Sequence, residues 1–379
     1  MASVEKLGSG RWQARYRDPD GKQRKRTFAR KSDAERFLTS IEHTILTGAY
    51  IAPEAGRRTC GDYAEAWKAV QVHRPSTRLY VETMLRRHAY PTFGDRPLSS
   101  VRPSEVQAWV QRISGSLAPP TVEVVYRYVS AIFRAAVADR VIASSPCLGA
   151  KLPRKARLEV VPLTTEAVEA LIDTMPDRYR ALVILAAGTG LRQGEAFGIE
   201  RRHVDFLRRT LKVEQQLILL PGEPPQVGPP KTDASHRTIP LPQVVVDALA
   251  AHMATFPADD GFLFTTTTGQ PIRRTAFSAT VWQPAIRRAG LPAGTGFHAL
   301  RHYYASLLIR HGESVKVVQL RLGHATAAET LDTYSHLWPD SEDRTRLAVD
   351  SVLGAITQQD RPHDDEGPLP PDAGTYRRA

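Results

Sequence analysis

The chain has 379 residues, of which 42% are hydrophobic and 24% are charged. This length exceeds one ordinary core and predicts two or three domains, and the composition is that of a water-soluble globular protein. The 51 lysine and arginine residues against 40 aspartate and glutamate residues give a formal charge of +11, which favours a polyanionic partner such as nucleic acid.

Cys60 and Cys147 are the only cysteines, and they lie far apart in no paired motif. They predict neither a disulfide framework nor a cysteine zinc site, and they indicate a reducing compartment. No apolar run approaches the roughly 18 residues that a membrane-spanning helix needs. The N-terminus lacks the apolar core of a secretory signal. We therefore expect a soluble, cytoplasmic protein with no membrane partner, associated with the nucleoid when it binds DNA.

The first predicted module covers residues 1–50. Apolar and polar residues alternate through WQARYR, which is the period of a half-buried strand. The turn sequence DPDG follows, and a second strand should run from Gln23 towards Phe28. Ser32 and Glu35 form a capping box that predicts the start of a helix. The module should be a small sheet backed by one helix.

Nine lysines and arginines fall between positions 11 and 31 of this module, with few carboxylates to balance them. The sheet should therefore carry one strongly positive face that binds DNA. A charged edge that discourages aggregation is the alternative interpretation. The candidate DNA contacts on the strands are Arg15, Arg17, Arg24, Lys25 and Arg26.

The second predicted module covers residues 58–148, after a linker rich in Gly, Ala and Pro. Apolar residues recur there at spacings of three and four, so the module should be all-helical. Helix starts are predicted at Thr59, at Ser76 or Thr77, at the capping box that begins with Ser104, and at Pro120 with Thr121. Taken alone, this pattern predicts no particular activity.

A basic connector and a polar tail flank the third module. The connector contains Lys151, Arg154 and Lys155, which either form a solvated linker or contact DNA phosphates. The tail, residues 357–379, is polar and rich in proline and should be disordered. Tyr376 lies in this tail and is therefore not a candidate nucleophile.

The third predicted module covers residues 159–350 and is mostly helical. Thr165 should cap its first helix, and a buried helix should end near Gly190. Arg192 follows on the turn that opens the next helix, where Glu195 can hold its guanidinium group. The segments TLKVEQQLILL and SHRTIPL alternate like paired strands, and Lys231 lies near the turn between them.

Three histidines and an arginine follow on and beside two more helices. His298 and Arg301 are three residues apart, so they share a helix face and can point at one phosphate. His298 and His302 have the spacing of a metal pair, but the glutamate of HExxH is missing and no acidic cluster supports one. We therefore interpret His302 as structural. Gly323 should turn the chain after the next helix and present His324.

Tyr334 is the candidate nucleophile. A free tyrosine has a pKa near 10, so it needs positioning and a positively charged pocket in order to react at neutral pH. Two arginines, a lysine and two histidines around one phosphate supply such a pocket without a metal ion. The sequence leaves open which group accepts the tyrosine proton, and His298 is the preferred candidate.

Six residues of the third module resemble, in order and in local sequence, the active site of the tyrosine recombinases, the lambda-integrase-like family of DNA strand-exchange enzymes. They are Arg192 in TGLRQGEAFGI, Lys231 in PKTDASHRTIPL, His298 and Arg301 in HALRHYYASLLI, His324 in LGH, and Tyr334 in TLDTYSHL.

The resemblance implies a reaction and a set of partners. Tyr334 attacks the scissile phosphate to give a 3′-phosphotyrosyl link, and Lys231 protonates the departing 5′-oxygen, with no cofactor and no ATP. The two arginines and two histidines bind the phosphate. The first module resembles the domain with which phage integrases bind arm-type DNA. The resemblance further implies a homotetramer on double-stranded attachment sites, an excision factor and a host DNA-bending protein.

The expected fold class is multi-domain and mainly α with small β-sheets. It combines a β-sheet-plus-helix arm-binding domain, a helical core-binding domain of the SAM-like type and a mixed α/β catalytic domain. The expected function is integration and excision of a phage or mobile element. A Xer-like resolvase, a type IB topoisomerase and a DNA-binding regulator with a decayed site are the alternatives. The basic first module argues against the first two, and the intact six-residue set argues against the third.

Overall fold

The computed structural model describes residues 2–154, 159–257, 261–338 and 342–359, and the chain divides into two compact units at residues 157 and 158. The predicted fold class is confirmed, because the chain is mainly helical with small antiparallel sheets. Within the described ranges, we find no helix that is both long and apolar enough to cross a lipid bilayer.

The first unit begins with a three-stranded antiparallel sheet in the order β1-β2-β3 and a helix packed on it. Its elements are β1 Ser3–Lys6, β2 Trp12–Arg17, β3 Gln23–Phe28 and α1 Lys31–Leu46. The predicted hairpin is confirmed, with Trp12 opposite Phe28 and Arg17 opposite Gln23. Strand β1 was not predicted from the sequence. The helix buries Ala34 and Leu38 against Ala14 and Tyr16 of β2.

The rest of the first unit is helical, as predicted. Its helices are α2 Cys60–Ala69, α3 Pro75–Met84, α4 Tyr90–Phe93, α5 Pro103–Ser114 and α6 Pro119–Ala138. A π-helical turn at Leu85–Ala89 joins α3 to α4. Trp109 is buried against Phe93, with the ring centroids 5.3 Å apart, and so belongs to the core.

Several predicted helix starts were wrong by one to three residues. Thr59 caps α2 as predicted, by accepting a hydrogen bond from the Asp62 amide at 3.1 Å. Helices α3, α5 and α6 begin at prolines instead of being capped by the serines and threonines nearby. Proline is favoured at the first helical position because its φ is already set and it has no N–H to satisfy. The cap is therefore the residue before each proline.

The predicted capping box at Ser32 is also wrong. Helix α1 begins at Lys31, its N-cap is Arg30, and no side chain caps it. Asp33 lies in the first turn, where a carboxylate interacts favourably with the helix dipole, and it pairs with Arg36 at 2.6 Å. Thr165 is likewise the first residue of its helix, and Thr164 is the cap.

The second unit surrounds one buried helix with other helices and two small sheets. Its helices are α7 Thr165–Thr174, α8 Asp177–Thr189, α9 Gln193–Phe197, α10 Gln243–Thr255, α11 Arg274–Phe277, α12 Gln283–Arg288, α13 Ala299–Arg310, α14 Val315–Leu322, α15 Ala327–Tyr334 and α16 Glu342–Gln359. Its strands are β4 Val204–Asp205, β5 Thr210–Val213, β6 Gln216–Ile218, β7 Gln226–Gly228 and β8 Arg237–Pro240.

The predicted pairing of TLKVEQQLILL with SHRTIPL is confirmed only for the first part of TLKVEQQLILL. Strand β5 pairs with β8, and β4 completes that sheet, whereas β6 pairs with the unpredicted β7. The bend between Val213 and Gln216 divides the first segment between two sheets. Lys231 lies on the loop between β7 and β8, so that loop is anchored on one side by each sheet.

Helix α8 is the centre of the second unit and packs on α10 and α13. Leu182, Leu185 and Ala186 are fully buried in it. It ends at Gly190 with a φ of +64°, where a Cβ would stand 2.5 Å from the Tyr304 ring. Only glycine fits both restraints, since other residues rarely adopt this φ and there is no room for a side chain. The chain can therefore turn sharply and place Arg192 beside the start of α13.

The last helix, α16, ends at Gln359, so the first three residues of the predicted tail are helical. Residues 360–379 lie outside the described part of the chain. Leu347, Val349 and Val352 of α16 are exposed.

Candidate active site

Arg192 lies at the N-cap of α9, and its guanidinium joins three distant parts of the chain. Nη1 donates to Glu195 Oε1 at 2.9 Å and to Ser235 Oγ at 3.0 Å. Nη2 donates to the Gly323 carbonyl at 3.0 Å. The side chain is 25% exposed. One edge of the guanidinium is thus held by the protein while the group still reaches solvent.

Glu195 is the carboxylate at the base of the site, and it is 1% exposed. Its Oε2 accepts hydrogen bonds from Arg237 Nη2 at 2.9 Å and from the Arg192 amide at 3.0 Å. Burial alone would raise its pKa, but Arg237 and Arg192 outweigh burial, and the net pKa is lowered. The carboxylate is therefore ionised and orients both guanidinium groups.

Arg301, in the first turn of α13, is 2% exposed. Its Nη1 donates to the Gly190 carbonyl at 2.9 Å, which connects it to the end of α8. Burial, followed by repulsion from Arg192 and Arg237, lowers its pKa to about 9. The protein therefore keeps a destabilised positive charge at this position.

His324 follows the left-handed Gly323 after α14, as predicted, and is buried. Its Nδ1 lies 2.8 Å from Thr330 Oγ1. Burial and then the charge of Arg301 lower its pKa to about 3, so the imidazole is neutral at neutral pH. Its ring lies nearly parallel to the Tyr334 ring, with an interplanar angle of 11° and centroids 6.4 Å apart.

Tyr334 is the last residue of α15 and is 1% exposed. Its hydroxyl lies 2.8 Å from His302 Nδ1, on the first turns of α13. Burial raises the pKa of Tyr334 to about 12, although Arg301 acts in the opposite direction. His302, which we interpreted as structural, thus contacts the oxygen of the candidate nucleophile.

His298 and Lys231 are the two exposed members of the predicted set. The His298 ring touches the His302 ring edge to face, with centroids 4.7 Å apart. Partial burial of the ring, followed by repulsion from His302 and Arg301, lowers the pKa of His298. In the described part of the chain, no hydrogen bond or ion pair joins Lys231 to the other five. The structure thus brings five of the six together.

Arg237 and Ser235 belong to the site but were not identified from the sequence. Arg237 Nε donates to the Arg321 carbonyl at 2.8 Å, and its side chain is 6% exposed. Ser235 is buried and lies four residues after Lys231. The basic strand in SHRTIPL was the available signal, but its partner Glu195 is 42 residues away in sequence.

The arrangement has the donors and the positive charge that an anion-binding site needs. Three guanidinium groups, those of Arg192, Arg237 and Arg301, surround one buried carboxylate, and the neutral His324 and Tyr334 lie beside them. An oxyanion placed there gains more than it would in water, because the donors are already fixed and partly desolvated. The hydroxyl of Tyr334 is an oxygen that could act as a nucleophile towards such an anion.

The buried, neutral His324 predicts a pH-dependent stability. Its folded pKa of about 3 lies below the 6.5 of the unfolded chain, so the unfolded chain binds the extra proton as the pH falls below 6.5. Stability is therefore full above pH 6.5 and falls below it. Between pH 7 and pH 5 we expect a loss of about 2 kcal/mol from this residue.

Urea unfolding at both pH values measures this loss. His324→Asn should have a flatter pH dependence than the wild type, and His311→Asn, at an exposed position, should match the wild type. Equal pH dependence in all three proteins would contradict a neutral His324.

The five basic residues predicted to contact DNA from the first unit do not share one face. By register, Arg15 is opposite Lys25, and Arg17 lies on the same open face of the sheet. Arg24 and Arg26 lie on the face that carries α1. Arg24 pairs with Asp18 at 2.9 Å and also with Glu54.

Carboxylates balance more of this charge than the sequence suggested. Arg15 pairs with Glu5 of β1 at 2.8 Å, and the Arg26 guanidinium lies 5.0 Å from the centroid of the Phe37 ring. The pattern missed these contacts because Glu5 and Glu54 lie outside the predicted strands. In the connector, Lys151 and Arg154 are exposed, whereas Lys155 lies outside the described residues.

Comparison with protein families gives three matches along the chain. Residues 162–340 match the phage integrase family, residues 2–47 match the phage integrase N-terminal domain, and residues 61–151 match the phage integrase central domain. A putative prophage phiRv2 integrase of Mycobacterium tuberculosis is 31% identical over 364 residues, covering 92% of this chain and 95% of that protein. The integrase of Mycobacterium phage D29 is 30% identical over 341 residues, covering 86% and 90%.

Solved structures share the fold. The Tn1549 transposon integrase, residues 82–397, in complex with a circular intermediate DNA has a TM-score of 0.68 at 23% identity, covering 78% of this chain and 99% of that one. A lambda integrase dimer bound to a COC′ core site has a TM-score of 0.58 at 17% identity, covering 89% and 95%.

Proposed function

Since this chain belongs to the phage integrase family of tyrosine recombinases, we propose that it integrates and excises a phage or mobile element with Tyr334 as its nucleophile. It is a site-specific recombinase that cleaves and rejoins DNA strands.

The cluster of Arg192, Arg237 and Arg301 around a single carboxylate carries the proposal. Two of these groups, Arg192 and Arg301, bind the non-bridging oxygens of the scissile phosphate, since a guanidinium can donate two parallel hydrogen bonds to such a group. The lowered pKa of Arg301 supports this role. The negative charge of a bound phosphate would offset the repulsion among the arginines that lowers the pKa of Arg301.

The other candidate residues attack the phosphate, transfer a proton or contact the phosphate. The Tyr334 oxygen attacks phosphorus and forms a 3′-phosphotyrosyl bond, and the bond to the 5′-oxygen breaks. Lys231 protonates that 5′-oxygen. It is exposed on a loop whose far end is fixed by Ser235, which is bound to Arg192 at 3.0 Å. The lysine can therefore move while its anchor stays in the site. His298 and His324 contact the phosphate.

We assign the DNA contacts to the separate modules. The sheet of residues 1–50 binds arm-type DNA through Arg15, Arg17 and Lys25, the residues of its open face. Residues 58–148 bind the core site, and residues 159–350 cleave it. Lys151 and Arg154 in the connector, which are exposed, contact phosphates.

Recombination requires an assembly, which we propose to be a homotetramer on two DNA duplexes. The exposed apolar residues of α16, including Leu347, Val349 and Val352, support contact with another subunit. An excision factor and a host DNA-bending protein would set the direction of the reaction.

A covalent adduct tests the assignment of the nucleophile. The purified protein is incubated with a plasmid carrying the DNA that flanks its gene, then denatured, digested with nuclease and protease, and analysed by mass spectrometry. We expect a nucleotide attached to the peptide that contains Tyr334, and the DNA end to mark the crossover site. An adduct on another tyrosine would overturn the assignment. Salt-sensitive binding without an adduct would favour a DNA-binding regulator.

If the open face of the N-terminal sheet binds DNA, substitutions on that face should weaken binding. Arg17→Ala and Lys25→Ala should each weaken binding to arm-type DNA several-fold and reduce the slope of log affinity against log salt by about 1. Arg24→Ala is the matched control. Because Arg24 is paired with Asp18 and Glu54, it should lower the melting temperature of the protein instead. Fluorescence anisotropy across a salt series measures the slopes, and an unchanged slope in both open-face variants would contradict the assignment.

A further inference from the structure

His302 makes the hydrogen bond to the Tyr334 hydroxyl, from the helix turn that also carries Arg301. The distance from Nδ1 to the hydroxyl oxygen is 2.8 Å, and the ring centroids are 5.6 Å apart at an interplanar angle of 65°. The imidazole nitrogen therefore lies at hydrogen-bonding distance from the oxygen that has to lose its proton, and it was not part of the predicted site.

The charged and titratable groups that face His302 come from two helices. Arg301 belongs to its own helix, α13, His298 is the N-cap of that helix, and Tyr334 comes from α15. Burial and then the charge of Arg301 lower the pKa of His302. The ring is thus neutral at neutral pH, and with its proton on Nε2 the Nδ1 lone pair can accept a hydrogen bond from the tyrosine hydroxyl.

We propose that His302 is the general base that accepts the hydroxyl proton of Tyr334 while the tyrosine attacks the scissile phosphate. This inference rests on the proposed function. The O–H bond of Tyr334 breaks and its proton passes to His302 Nδ1, as the bond from the phenolic oxygen to phosphorus forms. The bond from phosphorus to the 5′-oxygen breaks, and that oxygen takes a separate proton from Lys231. In the rejoining step a 5′-hydroxyl attacks phosphorus and gives its proton to Lys231, the phosphotyrosyl bond breaks, and His302 returns its proton to Tyr334.

Neither of the other two histidines has this geometry. His324 binds Thr330 through Nδ1 and presents its ring face to the tyrosine ring, at 11° and 6.4 Å. His298, the candidate preferred from the sequence, contacts the ring of His302 and is exposed. Its exposure suits contact with the phosphate instead, so the histidine at the N-cap of α13 and the histidine within α13 have separate roles.

The tyrosine needs a base because its environment favours the protonated form. With a pKa raised to about 12, roughly one molecule in 100,000 carries phenolate at pH 7. A neutral imidazole is a weak base for such a phenol, so the proton must move in the same step as the attack on phosphorus. The charge of Arg301 acts on both groups, since it lowers the pKa of His302 and of Tyr334.

The first test is His302→Gln, measured as single-turnover cleavage of the mapped crossover site. Glutamine can hydrogen-bond to the tyrosine but cannot take its proton. We expect cleavage at pH 7 to fall by roughly 10²- to 10⁴-fold, the usual contribution of a general base. The rate of the variant should rise about tenfold per pH unit from pH 7 to 9, as phenolate forms without help. The wild type should be nearly independent of pH in this range.

Two substitutions in the reactants separate this role from a structural one. A fluorinated tyrosine at position 334, whose phenol is more acidic, should partly restore cleavage by His302→Gln. DNA with sulfur in place of the 5′-bridging oxygen needs no general acid, so it should rescue Lys231→Ala but not His302→Gln. His311→Asn, at the exposed C-cap of α13, is the matched control and should cleave like the wild type.

The outcomes are distinct for the two proposals. If wild-type protein forms no adduct at Tyr334, the proposed function fails. If the wild type forms the adduct and folded His302→Gln cleaves at the same rate with the same pH profile, the general base is not His302. Faster cleavage would also overturn it and identify His302 as a latch on the tyrosine. Should His302→Gln melt early, His302→Asn is measured in the same way.

Discussion

Tyr334→Phe is expected to abolish the covalent DNA adduct and strand exchange, with a loss on the order of 10⁶-fold, as in other enzymes that lose their nucleophile. The substitution removes one oxygen and leaves the ring, which lies nearly parallel to His324. The arginine cluster and the first unit, to which we assign DNA binding, are left unchanged. Binding to the crossover site should therefore stay within a few-fold of the wild type.

The fold should tolerate this change. The hydroxyl makes one hydrogen bond, to His302 at 2.8 Å, which contributes about 1 kcal/mol. Tyr303→Phe is the matched control, because Tyr303 lies on α13 and its hydroxyl binds Thr165 at 3.3 Å. That variant should keep full cleavage. A phosphotyrosyl adduct in Tyr334→Phe would mean that another tyrosine attacks.

Arg301→Met is expected to reduce cleavage by about 10³- to 10⁵-fold, the range found when an arginine that stabilises a phosphoryl transition state is removed. The same substitution should raise the stability of the folded protein. Burial and the neighbouring arginines lower the pKa of Arg301 to about 9, so below pH 9 the folded protein carries a disfavoured charge. Removing it relieves a cost on the order of a few kcal/mol, against about 1 kcal/mol for the lost bond to Gly190.

Thermal melting and single-turnover cleavage measured together check both halves of this prediction. Arg310→Met is the control, because Arg310 ends the same helix at an exposed position. It should change neither quantity appreciably. If Arg301→Met melts several degrees below Arg310→Met, the charge of Arg301 stabilises the protein and the argument from repulsion is wrong.

Local pattern was sufficient for much of the fold. The alternation in WQARYR and the DPDG turn predicted β2 and β3 at their observed bounds. Strand β1, with the sequence SVEK, was not predicted because it contains a single apolar residue, Val4, which is too few to establish a period. Helices α3 and α5 begin at prolines, and the nearby serines that were predicted as caps lie within the helices. Strand β7 depends on its pairing with β6, which a local pattern does not specify.

In the candidate site, too, local spacing predicted some features, and long-range packing determines the others. Spacing within α13 correctly placed His298, Arg301 and His302 in one region, but the choice of which histidine faces Tyr334 depends on how α15 packs, 32 residues later. The bond from Arg237 to Glu195 spans 42 residues and has no local sequence signal. Chemistry that depends on such long-range contacts could not be assigned from the sequence.

The three acceptors of Arg192 also determine when the enzyme can first act during its own synthesis. Glu195 is made almost with the arginine, but Ser235 follows 43 residues later and the Gly323 carbonyl 131 residues later. Under the proposed function, a chain that emerges from the ribosome with its N-terminal modules folded can already bind DNA. It cannot yet fix Arg192, and its tyrosine comes later still. With the roles proposed for Arg192 and Tyr334, an unfinished chain is therefore unable to nick the DNA to which it is bound.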